Sequence, residues 1–230
     1  MFVGHLALAL AAKRVDSETS LGWFVAAVIL LDLVWPIFVL AGVERVSIIP
    51  GATEFTPLLF VSYPWSHSLA MSIVWGVLLA ILARSTGHTD RTSWLIAALV
   101  VSHWVLDVVT HAPDMPLWRG ESPKLGLGLW KSIAATYLVE GTMWILAIGL
   151  YLWPRKAKRL TGPIAFWTFV GLTTLVWACG PWSPTPSSIR ALAYLALTGC
   201  ILIPWAILAD RNYSIRVRES PGNSKQLLFL

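Results

Sequence analysis

Along the chain, long apolar runs alternate with short polar breaks. A helix needs about 20 residues, with a range of about 17–25, to cross a bilayer. Six runs meet that length, at 21–43, 66–83, 93–110, 130–153, 163–180 and 189–209. Glycine and proline punctuate the breaks, as at Pro50-Gly51, Pro113, Pro116, Pro154 and from Pro181 to Pro186. No internal repeat or low-complexity tract is visible. The pattern predicts an all-α, polytopic membrane helix bundle with six transmembrane helices. It forms one domain over 1–210, followed by a polar, basic, flexible tail over 211–230.

Composition narrows the class. Of 230 residues, 57% are apolar and 13% charged, against about a quarter charged in soluble domains. That balance excludes a disordered chain, a disulfide scaffold and a nucleic-acid-binding domain. The fourteen tryptophans fit a membrane protein, because Trp collects at the lipid–water interface. Cys179 and Cys200 both lie inside apolar runs and read as packing residues.

Positive charge sets an orientation. If the amino terminus, the 84–92 and 154–162 loops and the tail share one side, that side holds twelve of the Lys and Arg residues and the other holds five. The richer side is expected in the cytoplasm, with both termini.

The opening segment, MFVGHLALALAA, is apolar but too short to span, and Lys13 and Arg14 follow it, unlike the order in a signal peptide. Two readings remain. One is a helix lying flat at the interface, with His5 at the surface. The other is a half-membrane helix forming a hairpin with the first span. In the hairpin, His5 stands about 12 Å above Lys13 and Asp32 about 16 Å above Leu21, at similar depths.

Ionisable groups inside spans are expensive and mark sites by default. Asp32 is midway along the first span, His67 and Ser68 open the second, and Glu140 lies in the fourth. The third carries SHWVLDVVTH, with His103, Asp107 and His111 at i, i+4 and i+8 on nearly one helix face. These groups converge on a cavity opening away from the cytoplasm. Imidazole and carboxylate without cysteine suit a hydrolytic divalent metal, Zn²⁺ or Mn²⁺, rather than a structural zinc. Three ligands over about 12 Å of helix cannot all reach one ion, so either two ions bind or one residue stands behind the ligands. A relay of protons or passage of a cation through the same cluster is the alternative, and a non-catalytic membrane protein with a degenerate site is a third. Ser68 and Glu140 read as supports behind the ligands, with Lys131 or a backbone group as the alternative partner for Glu140. His88 falls in a cytoplasmic loop and reads as solvated. The glycines of KLGLGLW follow no strand, so they carry only a weak phosphate-loop signal.

The phrases FVGHLALALAAKR, ILLDLVWP, YPWSHSL, SHWVLDVVTH and GLGLW together resemble the predicted membrane-bound metal-dependent hydrolases of the YdjM type, over about the first two-thirds of the chain. The resemblance implies an inner-membrane protein with metal ligands at His5, Asp32, His67, His103, Asp107 and His111, and a hydrolase activating water. Asp107 and His111 would serve catalysis, His111 as ligand or proton shuttle. Two departures stand out. Val34 occupies the second position of a common Asp-x-Asp pair, and Tyr63 and Pro64 stand where a His-Arg pair is frequent. The depth of the cluster points to a lipid or lipid-linked substrate, a phosphoester first. The expected partners are therefore the lipid bilayer and a lipid-like substrate, not nucleic acid.

Overall fold

The computed structural model describes residues 1–153 and 155–215. Pro154 and most of the expected tail, 216–230, lie outside the described residues. The first half of the chain runs α1 (Val3–Ala12), α2 (Leu21–Leu40), β1 (Arg45–Ile48), β2 (Leu58–Ser62), α3 (Pro64–His67), α4 (Leu69–Ser85) and α5 (Asp90–Thr110). The second half runs β3 (Met115–Pro116), β4 (Lys124–Leu125), α6 (Ile133–Leu152), β5 (Arg155–Ala157), α7 (Thr161–Cys179), α8 (Ile189–Leu197), α9 (Leu202–Arg211) and β6 (Tyr213–Ile215).

The chain is mostly helical, as the apolar periodicity requires. Five helical segments are long and apolar enough to cross a membrane: Leu21–Leu40, Asp90–Thr110, Ile133–Leu152, Thr161–Trp182 and Ile189–Arg211. The expected second span is the exception. Ser68 is extended and accepts a hydrogen bond from Met71 N, so it caps a fresh helix and splits the run into α3 and α4. The 17 residues of α4 rise about 25 Å, less than the roughly 30 Å of a hydrocarbon core. The last segment is also interrupted, by a 3₁₀ turn at Thr198–Ile201 between α8 and α9. Pro204 lacks the amide that would bond to Cys200, which loosens the helix there. Ser20, Thr89, Ser132 and Ser188 cap α2, α5, α6 and α8 through their hydroxyls.

Three two-stranded antiparallel ribbons, β1–β2, β3–β4 and β5–β6, were not expected from the apolar pattern. Their strands have two to five residues, too few to set up a period. The β5–β6 ribbon also corrects the tail, because Arg211 ends α9 and 213–215 pairs with 155–157.

Polar contacts define two ends of the bundle. At the basic end, Asp210 of α9 accepts from Leu21 N at the start of α2, from Tyr151 at the end of α6 and from Lys13 beyond α1. At the opposite, hairpin end, Phe55 N donates to Trp130 O and Ile133 N to Glu54. His88, expected in solvent, is half-buried. Its Nδ1 lies 3.0 Å from Ala83 O and its ring meets Trp23 edge-on. Cys179 and Cys200 are exposed rather than packed inside.

The feature that organises the interior is α1. Eight of its ten residues are buried, and it packs between α2 and α6 with α5 alongside. The hairpin reading of the opening segment is therefore the one observed, and the surface position for His5 is overturned. Such a helix ends inside the bundle, where its first amides meet no water. Glu140 of α6 accepts from Phe2 N at 3.0 Å and Gly4 N at 3.2 Å, capping the helix from a neighbour. The carboxylate is thus committed to α1, not to Lys131. We expect Glu140→Ala to destabilise the fold by about 2–4 kcal/mol, since it strands two buried donors, while Glu140→Gln, which keeps one acceptor oxygen, costs less. Thermal unfolding in mild detergent measures both, and an unchanged midpoint for Glu140→Ala would refute the capping role.

Candidate metal centre

The helical period of α5 places His103 and Asp107 on one face, one turn apart, with His103 Nε2 3.1 Å from Asp107 Oδ2. The buried α1 delivers His5, whose Nε2 lies 3.0 Å from Asp107 Oδ1 and whose ring stacks on that of His103 at 3.7 Å between centroids. Mid-helix in α2, Asp32 sets Oδ1 3.6 Å from Nε2 of both His103 and His67. His67 ends α3, with Nε2 3.8 Å from Asp107 Oδ2. Four separate elements therefore bring five expected residues to one point. Two ligand sets form there, His5 with His103 and Asp107, and Asp32 with His67 and His103, and His103 belongs to both. The α-amino nitrogen of Met1 also lies 2.5 Å from Asp107 Oδ1.

Hydrogen bonding fixes how the imidazoles face the cluster. His103 Nδ1 meets the carbonyl of Val28 at 2.6 Å. A carbonyl only accepts, so Nδ1 carries a proton and Nε2 is the nitrogen turned toward the carboxylates. Nε2 is buried with no hydrogen-bond partner among the described residues. His67 is held by a longer chain. Its Nδ1 lies 2.7 Å from Ser66 Oγ, which donates at 2.6 Å to Glu44 Oε2. With Glu44 ionised, the hydroxyl proton goes to the carboxylate, so His67 Nδ1–H donates to the hydroxyl and Nε2 again faces the cluster. Glu44 also accepts from Trp65 N and Ser66 N at 2.8 Å each, capping α3. Burial pushes its carboxyl above the usual carboxylate range, despite the three hydrogen bonds.

Neutral imidazole lone pairs aimed at carboxylate oxygens repel unless a proton or cation lies between them. A divalent ion fits this set. Ligand atoms around a tetrahedral ion with bonds of about 2.0–2.2 Å are about 3.3–3.6 Å apart, and the observed separations run from 3.0 to 3.8 Å. His5, His67, His103 and Asp107 are all at most 4% exposed. The Asp32 side chain is 47% exposed and forms the open side. Pro36, four residues on, lacks the amide that would bond Asp32's carbonyl, so α2 is locally loosened at this level.

Two expectations are corrected. His111 does not join the ligand set. It caps α5 in an extended conformation, and Pro113, which has no amide to bond to Val109 O, keeps the helix from continuing past it. Its Nδ1 lies 3.0 Å from Asp114 Oδ1, which also accepts from the Tyr63 hydroxyl. Burial and the Asp114 charge push the Tyr63 phenol well above its ordinary value, so it remains a donor. Ser68 caps α4 and makes no hydrogen bond to the cluster; the hydroxyl behind His67 is Ser66. The glycines of the 124–130 loop serve packing. A Cβ at Gly126 would lie 2.0 Å from Ala112 O, and Gly128 N donates to His111 O, so the loop is packed onto the end of α5. Glu44 and Ser66 were missed; the SHS phrase and the nearby acid were their only trace.

Partners that orient a ligating imidazole commonly carry a 10–100-fold effect on metal affinity. We expect Ser66→Ala to weaken Zn²⁺ binding by that order and Ser66→Thr to restore much of it, read by competition with a chelating dye. Equal affinities in all three proteins would remove Ser66 from the site. The chain matches no family model, no curated protein and no solved structure, so its function is argued from this geometry.

Proposed function

We propose that the chain is an integral protein of a bacterial inner membrane and a metal-dependent hydrolase of the type its motifs resemble. In this reading α4 completes six spans with the five longer segments, α1 reaches half-way across, and the basic end faces the cytoplasm. Exposed tryptophans support the placement. Trp94, Trp153 and Trp167 lie toward the basic end and Trp118 and Trp182 toward the hairpin end, as two interfacial belts would require.

The single observation that carries the chemistry is the inward set of Nε2 atoms beside two carboxylates, with the His103 and His67 tautomers set from behind. His5, Asp32, His67, His103 and Asp107 are the residues that would hold one or two ions, Zn²⁺ or Mn²⁺. A divalent ion there lowers the pKa of a water molecule and polarises a phosphoryl or carbonyl oxygen. Buried His5, His103 and Asp107 keep bulk water out. Asp32 is the ligand that a substrate can approach, and its position midway along an apolar helix favours a lipid or lipid-linked phosphoester arriving from the side. His111, held by Asp114 outside the ligand set, is placed to take up or pass on a proton rather than to bind metal.

A through-path for protons or cations is the weaker reading. Between the cluster and the basic end, the buried positions of α1, α2 and α5 are apolar, including Leu6, Leu10, Phe24, Val25, Ile96 and Val100.

The expected result is one or two equivalents of Zn or Mn by elemental analysis after purification in mild detergent. Loss of metal in His103→Ala and Asp107→Asn, and metal-dependent release of phosphate from phospholipid vesicles, should follow. A protein that purifies without transition metal and takes up neither Zn²⁺ nor Mn²⁺ would overturn the proposal.

A further inference from the structure

A second polar site lies at the basic end, remote from the cluster and unused by the chemistry above. Here the loop after α1 and the ends of α6 and α9 with the β5–β6 ribbon enclose a pocket of about 370 Å³. Lys13, Arg155, Lys158 and Arg211 line it, against only Glu18 and Asp210. Two of the cations are themselves buried, Lys13 at 2% and Arg155 at 5% exposure.

These two share one acid. Lys13 Nζ lies 2.8 Å from Asp210 Oδ2 and also donates to the carbonyls of Ser17 and Thr19, which takes up its three donors, and the same Asp210 oxygen accepts from Leu21 N. The other oxygen accepts from the Tyr151 hydroxyl, leaving Arg155 Nε 4.0 Å away. Arg155 stacks on the Tyr151 ring and donates from one terminal nitrogen to Tyr151 O. That is its single hydrogen bond among the described residues, for a fork of five donors. Burial pulls the Lys13 ammonium down from its ordinary value, against the opposing pull of Asp210.

We propose that this pocket binds a phosphate group, that of an anionic phospholipid headgroup. A buried guanidinium with most of its donors unused is costly, and a phosphate supplies acceptors for the planar fork of Arg155 and charge to balance the two cations that share Asp210. Pockets of this kind between helix ends at the cytoplasmic face suit anionic headgroups. The lipid as source rests on the membrane placement proposed above; the phosphate chemistry does not.

Thermal unfolding and native mass spectrometry of the full chain in detergent test it, with dioleoyl phosphatidylglycerol, dioleoyl phosphatidylcholine or inorganic phosphate added. Saturating phosphatidylglycerol should raise the midpoint by about 5 °C or more over phosphatidylcholine and leave one retained lipid. Both effects should vanish in Lys158→Ala/Arg211→Ala, at the exposed rim, and persist in Arg84→Ala/Arg91→Ala, which removes equal charge elsewhere at the same end. Stabilisation by inorganic phosphate that the rim variant abolishes, without preference for the anionic lipid, would keep the phosphate site and remove the lipid. No stabilisation by either ligand, or equal loss in both double variants, would overturn the proposal. Metal content is measured in the same samples, so failure here is distinguishable from failure of the hydrolase reading.

Discussion

A carboxylate cannot be left bare in an apolar interior, and Asp107 meets that constraint by drawing the bundle around itself. It sits mid-bundle on α5, 2% exposed, and its two oxygens face His5, His103 and His67 from three different helices. The cost of an unpaired charge there is several kcal/mol, comparable with the whole margin of a folded domain. The position of α1 follows from this. A ten-residue apolar helix gains burial anywhere in the bundle, but only one depth puts His5 on Asp107 and its open amides on Glu140.

The same constraint shapes how the imidazoles are held. A ring in the cluster has one nitrogen facing the carboxylates and one that must be satisfied elsewhere. His103 uses a backbone carbonyl and His67 a serine backed by a glutamate. His111 spends its Nδ1 on Asp114, beyond the helix, and takes no part in the set. His5 Nδ1, by contrast, is buried with no hydrogen-bond partner among the described residues.

How much of this was legible depends on the range of the interaction. The His103–Asp107 pair is a one-turn repeat and was readable from spacing alone. The convergence of His5 and Asp32 followed from helical rise once a hairpin was assumed, but the apolar pattern could not choose the hairpin over a surface helix. That choice belongs to Glu140, 136 residues from Gly4 in sequence. His111 was misread because periodicity continued past the point where Pro113 stops the helix. Ser66 and Ser68 flank His67 symmetrically in the sequence, and only the break between α3 and α4 assigns one to the imidazole and the other to a cap. Glu44 stood outside every apolar run, so no depth argument reached it.

The two ends of α1 then raise the same physical problem with opposite signs. At one end, Asp32, Asp107 and Glu140 gather around the imidazoles and outnumber the α-amino group of Met1, 2.5 Å from Asp107. At the other, Lys13 and Arg155 outnumber the Asp210 they share. Neither imbalance relieves the other, because the eight residues from His5 to Lys13 put about 12 Å of apolar helix between them, too far for direct pairing in a packed interior. Under the two proposals a divalent cation would fill the first imbalance, and a phosphate, with several acceptors for the Arg155 guanidinium, the second.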